Sequence, residues 1–198
     1  MNNSHQWVLA TGNAGKVREF QQRLQPVDVE LMALSDFTSD APAETGTTFV
    51  ENAVIKARAA AAASGLPALA DDSGLCVTAL GGAPGVYSAR YAGDQGSDAD
   101  NNRKLLEALD GVEQRAARFV CVLAWMRSKD DPLPMIFQGE WHGRIVHRPA
   151  GDNGFGYDPL FFVESHGCTS AQLEPEVKNG MSHRGLAIDH LLAWMESM

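Results

Sequence analysis

Two periodicities of apolar and polar positions alternate along the chain, and their order outlines an α/β protein. Trp7 to Ala10 is a short unbroken apolar run, as a buried strand has. Val17, Phe20 and Leu24 then recur at helical spacing, so a helix is predicted from about Ala14. Val29 to Leu34 reads as the next strand. Thr48 and Glu51 form a Thr-x-x-Glu capping box, which opens a helix running to about Ser64 and stopping at Gly65. Leu66 to Ala70 is predicted as a strand ending at Asp71. Ser97 caps a helix whose core face carries Leu105, Leu106 and Leu109. Phe119 to Met126 has the composition of a strand buried on both faces. Met135 to His142 and Gly143 to Val146 are predicted as two further strands. Ser182 caps the last helix, with Ile188, Leu191, Leu192 and Met195 on its buried side.

The length, 198 residues, suits one large domain or two small lobes sharing a core, and the whole of 1–198 is expected to act as a single domain. No apolar run reaches the ~20 residues of a membrane span, and the apolar stretch near the N-terminus is too short for a secretory signal. Cys76, Cys121 and Cys168 are scattered, with neither metal-ligand spacing nor the even number of a disulfide framework. A cytoplasmic protein with no membrane partner is expected. The net charge of -9 argues against a nucleic-acid partner, which usually meets a basic surface. An acidic protein that binds a small polyanion needs a local cationic pocket or a metal ion.

Five constellations can carry chemistry. Thr11-Gly12-Asn13-Ala14-Gly15-Lys16 lies between the first strand and the first helix, where free N–H groups and the helix dipole attract phosphate. It is not a Walker A loop, because Ala10 and Val17 stand where that motif has Gly and Ser or Thr. The competing reading is a tight turn with Asn13 as N-cap and Lys16 in solvent. Asp71-Asp72-Ser73-Gly74 follows an apolar strand. Adjacent strand residues point to opposite faces, so one aspartate can meet a hard cation while the other braces the loop. The alternative is an Asp-Ser-Gly turn with two solvated carboxylates. Upstream lie Glu44, in a loop, and Glu51, whose capping role accounts for it. Asn52 and Lys56 share a helix face, towards the site or towards solvent. Gly154-Phe155-Gly156-Tyr157-Asp158-Pro159 offers a ring flanked by glycines, on which a purine can stack for about 1–3 kcal/mol. It can equally be a loop whose aromatics plug a core. Finally, His183 and Arg184 occupy the first turn of the last helix, where the dipole disfavours cations by about 0.3–1 kcal/mol each. Cations placed there, together with Lys178, point to a task such as bonding an acceptor or an anion. Otherwise they reach solvent or surface carboxylates.

In order, these segments resemble the inosine triphosphate pyrophosphatase family. The resemblance also takes in Glu44-Thr45-Gly46, Phe49-Val50-Glu51-Asn52-Ala53 and the run from Gly81 through Tyr87-Ser88-Ala89-Arg90-Tyr91, and it covers nearly the whole chain. It implies an elongated α/β fold, a mixed sheet with flanking helices and two lobes around a central substrate cleft, commonly as a homodimer. It implies hydrolysis of ITP, dITP and XTP to monophosphate and pyrophosphate with Mg²⁺, which cleanses the nucleotide pool. By that resemblance Thr11 to Lys16 bind the triphosphate. Asp72 is the catalytic acid–base residue and a metal ligand, and Glu44 is the second metal contact. Ser73, Phe155, Gly156, Tyr157, Asp158, Lys178, His183 and Arg184 bind substrate. No individual role follows for the residues of the Tyr87–Tyr91 segment. Two rival readings are a nucleotide-binding module without catalysis, which needs no Asp72, and a phosphotransferase, which the missing Walker A pattern disfavours.

Overall fold

A computed structural model describes residues 5–40 and 42–197. Seven strands form one mixed sheet. They are β1 His5–Ala10, β2 Val29–Ala33, β3 Ala68–Val77, β4 Ala116–Met126, β5 Met135–Ile145, β6 Phe161–Val163 and β7 Cys168–Thr169. Their order is β2-β1-β3-β4-β5-β6-β7. β1 runs parallel to β2, with Val8 opposite Met32, and parallel to β3, with Leu9 opposite Leu69. β5, β6 and β7 pair antiparallel, with Arg144 opposite Phe162 and Phe162 opposite Thr169. The helices are α1 Ala14–Leu24, α2 Phe49–Ser64, α3 Asp98–Ala108, α4 Pro175–Met181 and α5 His183–Glu196.

Local chemistry explains the helix ends. Asn13 caps α1 by accepting from the Lys16 N–H. Thr48 and Glu51 form the reciprocal box at α2, and Gly65 ends it at φ 70°, a left-handed position that glycine takes without a Cβ clash. The alanine-rich face of α2 is buried at Ala53, Ala57, Ala60 and Ala61, small side chains that allow close helix packing. Ser97 and Asp100 box α3. The Ser182 hydroxyl accepts from the Gly185 N–H at the start of α5.

Three expectations need correction. β3 does not end at Asp71 but runs on to Val77, with Leu75 and Val77 fully buried. The turn propensity of Asp-Ser-Gly yields to tertiary partners described below. Met135 to Ile145 is one strand, not two. Gly143 does not break it: a Cβ there would run into the Phe162 carbonyl and the Phe161 ring, so glycine permits a close strand approach. Leu34 leaves β2 to open a 3-10 turn.

The chain divides into two compact units. The described residues of Met1–Asp72, Cys121–Gln138 and Ala187–Met198 form one; Ser73–Val120 and Gly139–Leu186 form the other. The core of the first is built on Trp7, Leu9, Phe20, Leu24, Leu69, Leu123 and Ile188. That of the second is built on Leu75, Leu105, Leu109, Phe119, Trp141, Leu160 and Phe161.

Candidate functional site

In the first unit, β3 brings two adjacent aspartates to opposite partners. Asp71 pairs with the Lys16 ammonium and accepts from the Cys121 thiol at 3.1 Å. Asp72 accepts from Lys56 Nζ at 2.6 Å and from the buried Asn52 amide at 3.4 Å. The alternation of a strand separates the two carboxylates, and each is held in β3 by a cation from a helix, Lys16 from α1 and Lys56 from α2. Lys16 is therefore not in solvent, and neither aspartate is a solvated turn residue.

The same Lys56 ammonium donates to Glu44 Oε1 at 2.8 Å. One cation thus gathers two carboxylates that are 28 positions apart in the chain. Asn52, one helical turn before Lys56, accepts from the Gly46 N–H at 2.9 Å and so anchors the loop that carries Glu44. A Cβ on Gly46 would press on Glu51 and Asn52, so only glycine allows that approach. Glu51 accepts from the backbone and hydroxyls of Thr47 and Thr48, the capping role expected of it.

Electrostatics at this pair has a clear sign. Burial pushes the Asp72 carboxyl above its ordinary value; Lys56 pulls it back by charge and hydrogen bond, Glu44 pushes it up and Lys16 draws it down. For Lys56, burial pulls downward, but the charge and hydrogen bond of Asp72, the hydrogen bond of Glu44 and the charge of Asp71 outweigh it, so its pKa rises. A carboxyl lifted this way accepts a proton more readily than a solvated one.

The donor set fits a small hard dication. Such an ion takes one or two carboxylates and fills its shell with phosphate and water oxygens. Asp72 and Glu44 supply two hard oxygens gathered at one point, and among the described residues no cluster of three or more His, Cys, Asp or Glu forms a metal-holding group.

In the second unit, Phe155 sits half-buried with two cations over its ring, Lys178 Nζ at 5.0 Å and Arg184 Cζ at 5.9 Å from the centroid. Arg184 Nη2 donates to the Ser73 hydroxyl at 3.0 Å. His183 lies flat on Phe119, 4.8 Å between ring centroids. The residues at the start of α5 are buried rather than solvated, His183 to 6% and Arg184 to 2% exposure. Asp158 is fully engaged: it accepts from Lys178, the Ser170 hydroxyl and the Phe155 N–H. Tyr157 is buried and donates its hydroxyl to the Ser88 carbonyl at 2.8 Å; burial, then Tyr91 and Asp98, push its pKa up and keep it neutral.

Of the residues expected to bind the triphosphate, Thr11 accepts the Asn13 N–H at 3.2 Å, Gly12 and Asn13 are exposed, Ala14 opens α1, and Gly15 lies in its first turn. The two sets are thus each assembled in their own unit, Thr11–Lys16, Glu44 and Asp72 in one, and Ser73, Phe155–Asp158, Lys178, His183 and Arg184 in the other. Sequence reasoning left Asn52 and Lys56 undecided, gave the Asp71 and Asp72 pair one cation ligand and one loop brace, and gave no role to Cys121, Ser88 or Ser170. The helical phase that put Asn52 and Lys56 on one face was the available signal; Cys121 and Ser170 left none.

A model of the Ham1 family matches residues 7–194 of the chain. A dITP/XTP pyrophosphatase from Pseudomonas syringae is 58% identical over 188 residues, 94% of each chain. One from Vibrio parahaemolyticus is 55% identical over 192 residues, 96% of each chain. Among solved structures, a HAM1 protein from Coxiella burnetii superposes with a TM-score of 0.93 at 47% identity, over 98% of this chain and 100% of that one.

Proposed function

This chain belongs to the Ham1 family, and from that premise we propose that it hydrolyses non-standard purine nucleoside triphosphates (ITP, dITP and XTP) to monophosphate and pyrophosphate. The observation that carries the chemistry is Asp72: buried, lifted in pKa, and sharing the Lys56 ammonium with Glu44.

On this reading the triphosphate oxygens meet the first-turn N–H groups of α1 and the Lys16 ammonium. Asp72 and Glu44 would hold Mg²⁺, which when bound would supply positive charge against the phosphate oxygens and the leaving pyrophosphate. Asp72 accepts the proton of the water that attacks the α-phosphorus. Lys56 orients Asp72 and keeps the two carboxylates together. The base stacks on Phe155, and donors from His183 and Arg184 meet its 6-oxo group. Adenine, which offers a 6-amino donor there, would leave buried donors unpaired, a discrimination of about 10⁴-fold or more. Lys178 is held by Asp158 and lies over the Phe155 ring, so it fixes the ring's electrostatic face. A cytoplasmic homodimer acting on the free nucleotide pool completes the proposal; light scattering of the purified chain tests the dimer.

The test of the reaction is product analysis with Mg²⁺ and ITP, XTP, ATP or GTP. Pyrophosphate and monophosphate are expected from ITP and XTP, with little from ATP, and little from GTP, whose 6-oxo group matches and whose 2-amino group must therefore be what the pocket refuses. Asp72→Asn is expected to lower kcat by about 10²–10⁴-fold, the usual contribution of a general base. Orthophosphate and diphosphate as products, or equal rates on all four substrates, would defeat the proposal.

A further inference from the structure

The Gly154–Asp158 loop carries the ring on which the proposed substrate stacks, yet its first residue is exposed and two of its residues, Gly154 and Gly156, have positive φ, at 79° and 62°. A loop of this kind needs external restraint to hold one conformation. Part of the restraint is internal: Asp158 accepts the Phe155 N–H at 2.9 Å. The rest comes from α3. Asp98 Oδ2 accepts the Gly156 N–H at 2.7 Å, and Asn102 Nδ2 donates to the Gly156 carbonyl at 2.9 Å. Four residues apart on one face of α3, the two side chains take both polar groups of a single peptide residue. That residue directly follows Phe155.

The helix itself is well anchored. Ser97 and Asp100 cap it, Asn101 accepts the Ala92 N–H at 2.7 Å and donates to the Ala89 carbonyl at 3.2 Å, and Leu105 and Leu109 root it in the core. The anchoring by Asn101 ties α3 to the Tyr87–Tyr91 segment, for which the motif analysis found no role. From this we infer that Asp98 and Asn102 are positioning residues: they hold Gly156 and thereby set the pose of the Phe155 ring for the base. Neither touches the reacting phosphate. The inference rests on the function proposed above for the identity of the ligand, not for the restraint itself.

Two measurements decide it. Hydrogen exchange at the Phe155 and Gly156 amides, read without nucleotide, should accelerate in Asp98→Ala and in Asn102→Ala and return to the wild-type rate in Asp98→Asn, whose side-chain oxygen still accepts the Gly156 N–H. With Mg²⁺ and ITP, KM should rise about tenfold in the two alanine variants while kcat stays within about twofold, since a lost hydrogen bond to the loop weakens binding rather than chemistry. Thermal midpoints near that of the wild type are expected for the two Asp98 variants, because Asp98 is exposed. Unchanged exchange in the alanine variants overturns the inference, as does an unchanged KM or equal damage in Asp98→Ala and Asp98→Asn. A wild-type enzyme inert towards ITP and XTP would instead defeat the proposed function, and the exchange rates would still decide whether α3 restrains the loop.

Discussion

Asp72 stands between burial, which favours its neutral form, and Lys56, which favours its charged one. Burial prevails, so titration of the metal-free chain, followed by the Asp72 carboxyl carbon shift in NMR, should give a midpoint above the ordinary 3.8. Replacing Lys56 with Met removes its charge and its hydrogen bond, both of which lower the pKa, so the midpoint should climb further. A wild-type midpoint below 3.8 would contradict the balance drawn here. Residues of this kind differ in how far the sequence exposes them. Thr48 and Glu51 were legible because a capping box is complete within four consecutive positions. The Asp71 and Asp72 alternation was legible too, as a consequence of strand geometry. Their partners were not: Lys16 lies 55 positions from Asp71 and Cys121 lies 50, and no local pattern encodes such a meeting.

Elements follow the same rule. Helices with caps were bounded closely from sequence: α2 begins after Thr48 and ends before Gly65, as its box and glycine predict. β3 was cut short because Asp, Ser and Gly are turn residues by local preference, and only the distant cations reveal why a strand carries them. β6, β7 and α4 span three, two and seven residues, too short to show a period. Helix α3 offers a pH test of local structure. Ser97, by hydroxyl and backbone N–H, and then Arg103 lower the Asp100 pKa from 3.8 to about 2. The unfolded chain therefore binds this proton at higher pH than the folded one. The stability it contributes is present above pH 3.8 and is lost as pH falls through about 2. Thermal melts of Asp100→Ala should lie below those of the wild type near neutral pH, and the gap should close across that window. A gap that stays constant to the acid end would show that Asp100 does not act through its charge.

At the scale of the whole molecule, the α/β class was readable because apolar runs and helical periods alternate. The length allowed two lobes and the resemblance implied them, but which segments make up each unit was not readable, because each is assembled from segments far apart in sequence. Each unit has its own core, and the two clusters share no residue. Phe20 and Leu105 are fully buried, one in each. Phe20→Ala and Leu105→Ala should each destabilise by about 2–5 kcal/mol in urea unfolding. With no common partner, the double variant should match the sum to within about 0.5 kcal/mol. A larger discrepancy would mean the cores are energetically coupled. The net charge of -9 sits at this scale as well: a protein that repels polyanions as a whole can bind one only through a local cation or a metal ion, and on the proposed function Lys16, which Asp71 holds at the start of α1, has that task.

The opposed side chains of β3 also limit how this chain can change in length. Inserting or deleting one residue in the strand ahead of Asp71 would turn Asp72 towards the place of Asp71 and offer Lys56 the wrong neighbour, with the hydrophobic residues of the strand reversed as well. A change of two residues preserves the phase. Yet even that change carries both carboxylates about 7 Å along the strand and away from their lysines, so the length of this stretch is fixed, whereas point substitutions elsewhere in the strand leave the parity of its two carboxylates untouched.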